Sequence, residues 1–180
     1  METVDCIKGR RSIRRFTDEP VSRETILNLV ELASYAPSWK NTQVVRYTAV
    51  ESEFLRKELA DNCVLDFAGN EAIIKKCPML VVVSFVHGIS GYEKNGEAST
   101  SKEDRWEVFD AGIAAQTFCL AAHNEGLGTV IMGIFDEDKV AEVLGLPENQ
   151  TVAALVALGY PDIDPKAPRR RLPEDLVSFK

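Results

Sequence analysis

The sequence has few of the side chains from which catalytic and metal centres are usually built. Only two of its 180 residues are histidine, and its four cysteines include no C-x-x-C pair, which argues against a zinc site and a disulfide framework. It lacks the G-x-S-x-G, H-E-x-x-H and Walker motifs and any plausible serine–histidine–aspartate set. With so few candidates for acid–base or covalent catalysis, an enzyme of this composition would depend on a cofactor for its chemistry.

Long apolar runs and net positive charge are missing as well. No apolar run approaches the roughly 20 residues that a membrane-spanning helix needs, and the first residues show no apolar signal region. The formal net charge of −7 disfavours nucleic acid and anionic lipid as partners, because polyanions are bound by clustered positive surface. These features predict a soluble, cytoplasmic protein that binds neither nucleic acid nor a membrane.

Helices and strands alternate along the chain, and an apolar share of 45% is enough for a substantial core. Ser22 and Asp136 are predicted to cap the N-termini of two helices, and Gly126 is predicted to end the longest helix. Three or four strands with this many helices support one three-layer domain of the α/β or α+β class over residues 1–180. Apolar spacing predicts helices over residues 53–61, 71–76, 103–124 and 137–144, and strands over 44–50, 79–83, 129–134 and 151–158.

Two segments lack a regular apolar period. Residues 84–104 combine glycine, serine and charged residues, and we interpret them as a long surface loop that is mobile or borders the mouth of a binding pocket. Four of the eight prolines fall after residue 160, so residues 164–180 are expected to form an extended C-terminal tail.

Basic residues cluster near both ends of the chain. In an extended backbone Arg10, Ser12 and Arg14 would share one face, which could bind an anion while Ile13 packs inward. Guanidinium groups suit phosphate because their donors form a planar fork. Taken alone, this segment fits a solvated basic edge better. The second cluster, residues 169–171, lies between prolines and fits an anion-binding segment or a solvated tail equally well.

A polar turn follows the first amphipathic helix. Pro37 and Ser38 favour a turn. The amides of Asn41 and Gln43 carry both donors and acceptors, which could form hydrogen bonds with the edge of a ring that has carbonyl and N–H groups. Trp39 would then be a stacking surface or a residue of the rim. An ordinary helix-to-strand loop explains the same residues and is the simpler interpretation of the turn alone.

Glycines near residue 130 have different interpretations. Gly126 and Gly128 resemble part of a dinucleotide-binding fingerprint, but they follow a helix and precede a strand, the reverse of the order that a phosphate-binding loop needs. Gly133 is different, because a glycine inside a strand allows a ligand to approach the backbone closely.

Taken together, these segments resemble the FMN-dependent nitroreductase family. Residues 10–14, 36–43, 121–129, 158–161 and 169–173 carry the resemblance, and they occur in the family's order over nearly the whole chain. The resemblance implies an α+β, three-layer fold with a central mixed β-sheet flanked by helices. It also implies a homodimer that exchanges terminal segments and binds two FMN molecules at the subunit interface.

The resemblance implies the residues of the flavin site as well. Arginines near both ends of the chain would bind the FMN phosphate with Ser12, and Arg14 and Asn41 would contact the ring, where Arg14 stabilises the anionic reduced flavin. The partner subunit would supply the turn, and backbone groups of Met132 and Gly133 would face the flavin N5 region. The implied cofactor-binding residues are Arg10, Arg11, Ser12, Arg14, Pro37, Ser38, Trp39, Asn41, Met132, Gly133, Arg169 and Arg171.

The implied function is electron transfer from NAD(P)H through FMN to a nitroaromatic, quinone or similar acceptor by a two-step, ping-pong mechanism. Alternatives are a flavoprotein of the same fold with other chemistry (reductive dehalogenation, desaturation or flavin breakdown), a non-catalytic flavin-binding protein, and an interaction domain without flavin. The chain departs from the family where Gln43 is followed by Val44-Val45-Arg46 instead of proline and tryptophan, and where Trp39 replaces a smaller residue. Both departures concern the pocket wall and the substrate.

Overall fold

Four strands and six helices form three layers, with the sheet between two layers of helices. The computed structural model covers residues 1–180. Two short 3-10 turns, Trp39–Asn41 and Pro173–Asp175, add to these elements. The helices are α1 (Thr3–Gly9), α2 (Arg23–Ser34), α3 (Glu53–Asn62), α4 (Ala68–Lys76), α5 (Arg105–Asn124) and α6 (Glu137–Leu144), and the strands are β1 (Val45–Val50), β2 (Met79–Val86), β3 (Gly128–Met132) and β4 (Gln150–Gly159).

The strands lie in the order β1-β2-β4-β3, and all three neighbouring pairs are antiparallel. The α+β class is confirmed, but the mixed sheet that the resemblance implies is not what these four strands form. Helices α3 and α4 bring the chain back to the end of the sheet at which β1 finishes. Strand β2 therefore begins beside the last residues of β1 and runs antiparallel to it. The only parallel pairing is an isolated bridge between Ser12 and Thr129, at the outer edge of β3.

Alternate residues of β2 face the two hydrophobic cores. Leu80 and Val82 pack against α3, α4 and α6, whereas Met79, Val81 and Val83 pack against α2 and α5. The predicted burial of residues 79–83 on both faces is therefore confirmed, since all five are at most 2% exposed. This two-sided core fixes the position of the loops and helix ends that surround the sheet.

Local signals in the sequence predicted the helix ends correctly. The side chain of Ser22 accepts a hydrogen bond from the backbone N–H of Thr25, and Asp136 accepts one from Lys139. Gly126 follows α5 with a φ of +79°, the left-handed conformation expected of a residue that ends a helix. Each of these contacts involves neighbouring residues, so the sequence alone specifies it.

Most elements differ by one to three residues from their predicted bounds, and three differences change how a segment is interpreted. Helix α1 was not predicted, because Cys6 is its only buried residue and no amphipathic repeat reveals it. Strand β2 continues to Val86, into the segment predicted to be a loop, and β3 ends at Met132, so Gly133 follows the strand instead of lying inside it. None of the helices combines the length and the apolar composition needed to cross a membrane.

Candidate functional site

The two basic clusters of the sequence meet in one cleft of about 480 Å³. The cleft has no carboxylate in its wall, so it presents an unopposed positive field to an anion. On the tail side, Lys166 and Arg170 face it, whereas Arg169 and Arg171 do not line it. Side chains alternate along an extended segment, so Arg170 points away from its two neighbours. The cleft is lined by Arg10, Arg11, Ser12, Arg14, Pro165, Lys166, Pro168 and Arg170.

Strand β3 holds the N-terminal arginine segment in place. The backbone N–H of Ile13 donates to the carbonyl of Thr129 at 2.9 Å, and the Ile13 side chain is 7% exposed. The prediction that Ile13 packs inward is confirmed. Arg15 turns away from the cleft and forms an ion pair with Asp162 at 3.2 Å. Arg11 lines the cleft although alternation would place it on the same face as Arg15, so it is the ion pair with Asp162 that marks Arg15 as lying outside the cleft.

The polar turn after α2 has a strained backbone. Lys40, Asn41 and Gln43 have φ angles of 45°, 56° and 49°, in the left-handed region that side chains with a Cβ rarely adopt. Inside the turn, the hydroxyl of Ser38 accepts a hydrogen bond from the backbone N–H of Gln43 at 3.0 Å. Arg46 donates to the Gln43 carbonyl at 2.9 Å. Strain of this kind persists where surrounding contacts over-determine it, which is common at binding sites.

Pro37 and Ser38 line a second cavity of about 240 Å³ between α2, β1 and α5. Tyr47 lies in its wall and stacks on Phe118, with 5.6 Å between ring centroids. Burial raises the pKa of Tyr47 to about 12, and its hydroxyl is buried without a hydrogen-bond partner. The rest of the wall combines small apolar residues with the polar side chains of Gln43, Arg46 and Asp110, a mixture that suits an organic group with polar edges.

The arginine cleft and the second cavity share no residue of their walls. Within one chain the structure therefore brings the predicted N-terminal residues to the tail, but at Lys166 and Arg170 and not at the predicted Arg169 and Arg171. It does not bring Pro37, Ser38 or Asn41 to them. Met132 is buried at the end of β3, and Gly133 beyond it is exposed. A Cβ added to Gly133 would meet no atom within 4 Å, which leaves its backbone open to a ligand.

Buried polar residues that the sequence did not reveal support these segments. The side-chain amide of Asn70 donates to the carbonyl of Ile134 at 2.9 Å and so orients the chain that follows Gly133. Glu107 and Asp110 of α5 bind loop and turn residues. All three lie on helices where a polar residue ordinarily faces solvent, and only contacts between distant segments show their role.

His123 lies near the basic cleft, in the wall of a neighbouring cavity of about 430 Å³ that also contains Arg10 and Arg11. Burial lowers the pKa of His123, and the positive charges of Arg10 and Arg11 lower it further. The imidazole is therefore more readily neutral than in an exposed histidine.

Comparisons with known proteins show which family the chain is similar to. The model of the nitroreductase family matches residues 7–160. The NADPH-flavin oxidoreductase of Vibrio harveyi is 32% identical over 183 residues, covering 97% of this chain and 72% of that protein. Among solved structures, a nitroreductase family protein from Clostridium novyi NT has a TM-score of 0.78 at 31% identity, covering 93% of this chain and 89% of that one.

A second solved structure extends the likeness over almost the whole chain. The NADPH:FMN oxidoreductase from Vibrio harveyi, complexed with NAD+, has a TM-score of 0.82 at 30% identity and covers 98% of this chain and 76% of that one. The family model ends at residue 160, whereas this superposition covers almost the whole chain. The chain belongs to the nitroreductase family.

Proposed function

We propose that this protein is an FMN-dependent oxidoreductase that transfers electrons from NAD(P)H to a nitroaromatic, quinone or similar acceptor. The observation that carries the proposal is the arginine cleft, in which two distant basic segments converge without an acidic residue. A phosphate monoester is the anion that such a set of planar donors suits. The Vibrio harveyi relatives, whose names describe flavin and NADPH chemistry, support the same conclusion.

The donor set fits FMN. Arg10, Arg11 and Ser12 would bind the phosphate together with basic residues of the tail, and Arg14 would lie towards the ring. Bound FMN would take up an electron pair from NAD(P)H and release it to the acceptor. The chain itself has to bind and orient the flavin, and Arg14 would stabilise negative charge on the ring.

A second copy of the chain would supply Pro37, Ser38, Trp39 and Asn41. Three features support a dimer. Residues 163–180 make no hydrogen bond to the rest of the chain and expose apolar side chains, including Phe179 at 91%. Strand β1 has a free edge, and Val108 and Phe109 of α5 are exposed. We expect an obligate dimer that buries more than roughly 2,000 Å² in total.

The experiment is an FMN titration of the purified apoprotein, followed by light scattering and NAD(P)H oxidation with a quinone or a nitroarene. We expect stoichiometric FMN, a dimer, and oxidation that depends on the acceptor. Arg10→Ala should weaken FMN binding, and Arg15→Ala is the matched control because Arg15 pairs with Asp162 outside the cleft. A protein that takes up no FMN, or a monomer that binds it fully, would contradict the proposal.

The departures from the family at Trp39 and at Val44-Val45-Arg46 favour a different acceptor as the second candidate. Arg46 lies in the wall of the second cavity and donates to the Gln43 carbonyl, so it places a cation in that wall. A stopped-flow series of acceptors, including halogenated aromatics, would separate nitro and quinone reduction from other flavin chemistry. Flavin binding without turnover of any donor would instead favour a binding protein.

A further inference from the structure

Two carboxylates of α5 are buried inside the protein and are not among the residues proposed to contact the flavin, although Asp110 also lies in the wall of the second cavity. Glu107 is 0% exposed and Asp110 is 2% exposed. They lie one helical turn apart and both face the loop of residues 87–104 that follows β2. A buried carboxylate is costly unless hydrogen-bond donors surround it, so each contact it makes is significant.

Glu107 binds the start of this loop only. Its carboxylate accepts hydrogen bonds from the backbone N–H of Gly88 at 2.6 Å and of Ile89 at 3.3 Å, and it lies 2.8 Å from Nδ1 of His87. None of these contacts reaches the turn that contains Pro37 and Ser38. The role of Glu107 is therefore confined to the loop.

Asp110 joins the loop to the turn. Its carboxylate accepts from the backbone N–H of Trp39 at 3.0 and 3.2 Å, and from the hydroxyl of Ser90 at 2.7 Å. No basic side chain forms an ion pair with Asp110, so the cost of burying its carboxylate is offset by these hydrogen bonds. The Trp39 N–H lies at the first position of the 3-10 turn Trp39–Asn41.

Further contacts fasten the loop and the first turn of α5 to the same turn. The rings of Trp39 and Trp106 lie with centroids 4.8 Å apart, and Lys40 forms an ion pair with Glu93 at 2.8 Å. Three residues of the turn are left-handed, and its internal hydrogen bonds join Asn41 and Gln43 to Ser38 and Thr42 to Trp39. A turn with so much backbone strain needs anchors outside itself.

We propose that Asp110 is a positioning residue, which fixes the backbone of Trp39 and thereby the geometry with which residues 37–41 meet the flavin. The inference rests on the proposed function, because it concerns the same flavin site. The charge-assisted bond to the Trp39 N–H is the contact that matters, and the loop of residues 87–104 acts as a fixed support for the turn.

The first test compares Asp110→Ala with Glu107→Ala, a buried carboxylate one turn away that does not touch the turn. Both variants should unfold at lower temperature. Only Asp110→Ala should weaken FMN binding, by about tenfold or more, and change the visible circular dichroism of bound flavin. Asp110→Asn keeps an oxygen that can accept from the Trp39 N–H, so it should restore most of the affinity.

The second test removes the donor instead of the acceptor, in case Asp110→Ala does not fold. Trp39→Pro lacks the N–H, and proline suits this position because Ser38 before it is extended, with φ −134° and ψ 162°. Trp39→Ala is the matched control, because it loses the same indole and keeps the N–H. We expect Trp39→Pro to bind FMN about tenfold more weakly than Trp39→Ala.

Two results would overturn the inference. One is that Asp110→Ala and Glu107→Ala change flavin affinity and dichroism equally, and the other is that Trp39→Pro binds FMN as Trp39→Ala does. Failure of the proposed function is a separate result, because it would show in the unmodified protein as the absence of FMN binding. The inference fails only where the unmodified protein binds flavin and the variants do not differ as stated.

Discussion

Gly128 lies directly against Ile13. A Cβ built on Gly128 would be 2.6 Å from Cγ1 and 2.7 Å from Cβ of Ile13, closer than side-chain carbons approach one another. Ile13 occupies the middle of the arginine segment, and its N–H donates to the carbonyl of Thr129, the residue after Gly128 in β3. The absence of a side chain at Gly128 therefore lets the arginine segment pack on β3.

Gly128→Ala should consequently move the arginine segment. Overpacking of this kind costs about 1–3 kcal/mol, so we expect a lower free energy of unfolding together with weaker FMN binding. Denaturant unfolding of the apoprotein and fluorescence titration with FMN measure the two effects. Unchanged stability would show that the segment is not packed as described.

Gly133→Ala is the matched substitution at the other end of β3. A Cβ there meets no neighbouring atom of the chain, so the stability of the apoprotein should stay within about 0.5 kcal/mol. If a ligand approaches this backbone, the added methyl group should weaken FMN binding or slow flavin reduction by NAD(P)H. A variant with normal stability and normal flavin behaviour would remove Gly133 from the site.

The arginines should differ in their effects, because Arg15 lies outside the cleft and Arg14 is proposed to lie towards the ring. Arg10→Ala should weaken FMN binding by roughly tenfold to a hundredfold, from about 1.5–3 kcal/mol for a charge-assisted contact. Arg14→Ala should lower the reduction potential of bound flavin, since Arg14 is proposed to stabilise the reduced anion. Arg15→Ala should do neither. Redox titration beside FMN titration measures both quantities, and equal effects from all three would indicate only a diffuse basic patch.

The same titration decides which tail residues bind the phosphate. The resemblance implies Arg169 and Arg171, whereas the cleft of the single chain contains Arg170. If the resemblance is right, Arg169→Ala and Arg171→Ala should weaken FMN binding and Arg170→Ala should not. If the cleft of the single chain is right, only Arg170→Ala should weaken it. Sequence alternation predicts that the odd and even positions differ, but it does not predict which set faces the ligand.

How far the sequence predicts this molecule depends on the range of the contacts. Ser22, Asp136 and Gly126 act on neighbouring residues, so their roles follow from local patterns. Asp110 binds a residue 71 positions away, and nothing near it in the sequence indicates that partner. The antiparallel sheet was missed for a related reason, since pairing depends on how the connecting helices return the chain.

Tyr47→Phe should not destabilise the protein. The Tyr47 hydroxyl is buried without a partner, so its removal eliminates an unsatisfied polar group while the stacking on Phe118 remains. We expect a free energy of unfolding that is unchanged or higher by about 1 kcal/mol in denaturant titration. A spectrophotometric titration should also lose the tyrosine that ionises near pH 12. A clear loss of stability would mean that the hydroxyl has a partner.

His123 should make stability depend on pH in a defined direction. Its pKa in the folded protein lies below the usual value of about 6.5, through burial and then through Arg10 and Arg11. As the pH falls through about 6.5, the unfolded chain therefore gains a proton at this position before the folded protein does. Stability that is fully present above this pH is lost as the pH falls towards the folded-state pKa.

His123→Gln removes this loss, so the free energy of unfolding should fall less steeply between pH 7 and 5.5 than in the unmodified protein. Arg11→Ala should raise the pKa of His123, because it removes one of the charges that oppose protonation. An anion bound between Arg10 and Arg11 should act in the same direction, so inorganic phosphate or FMN should reduce the pH dependence. Proton NMR titration of the imidazole measures the pKa directly. A folded-state pKa at or above 6.5 would show that neither burial nor the two arginines act on His123 as the structure indicates.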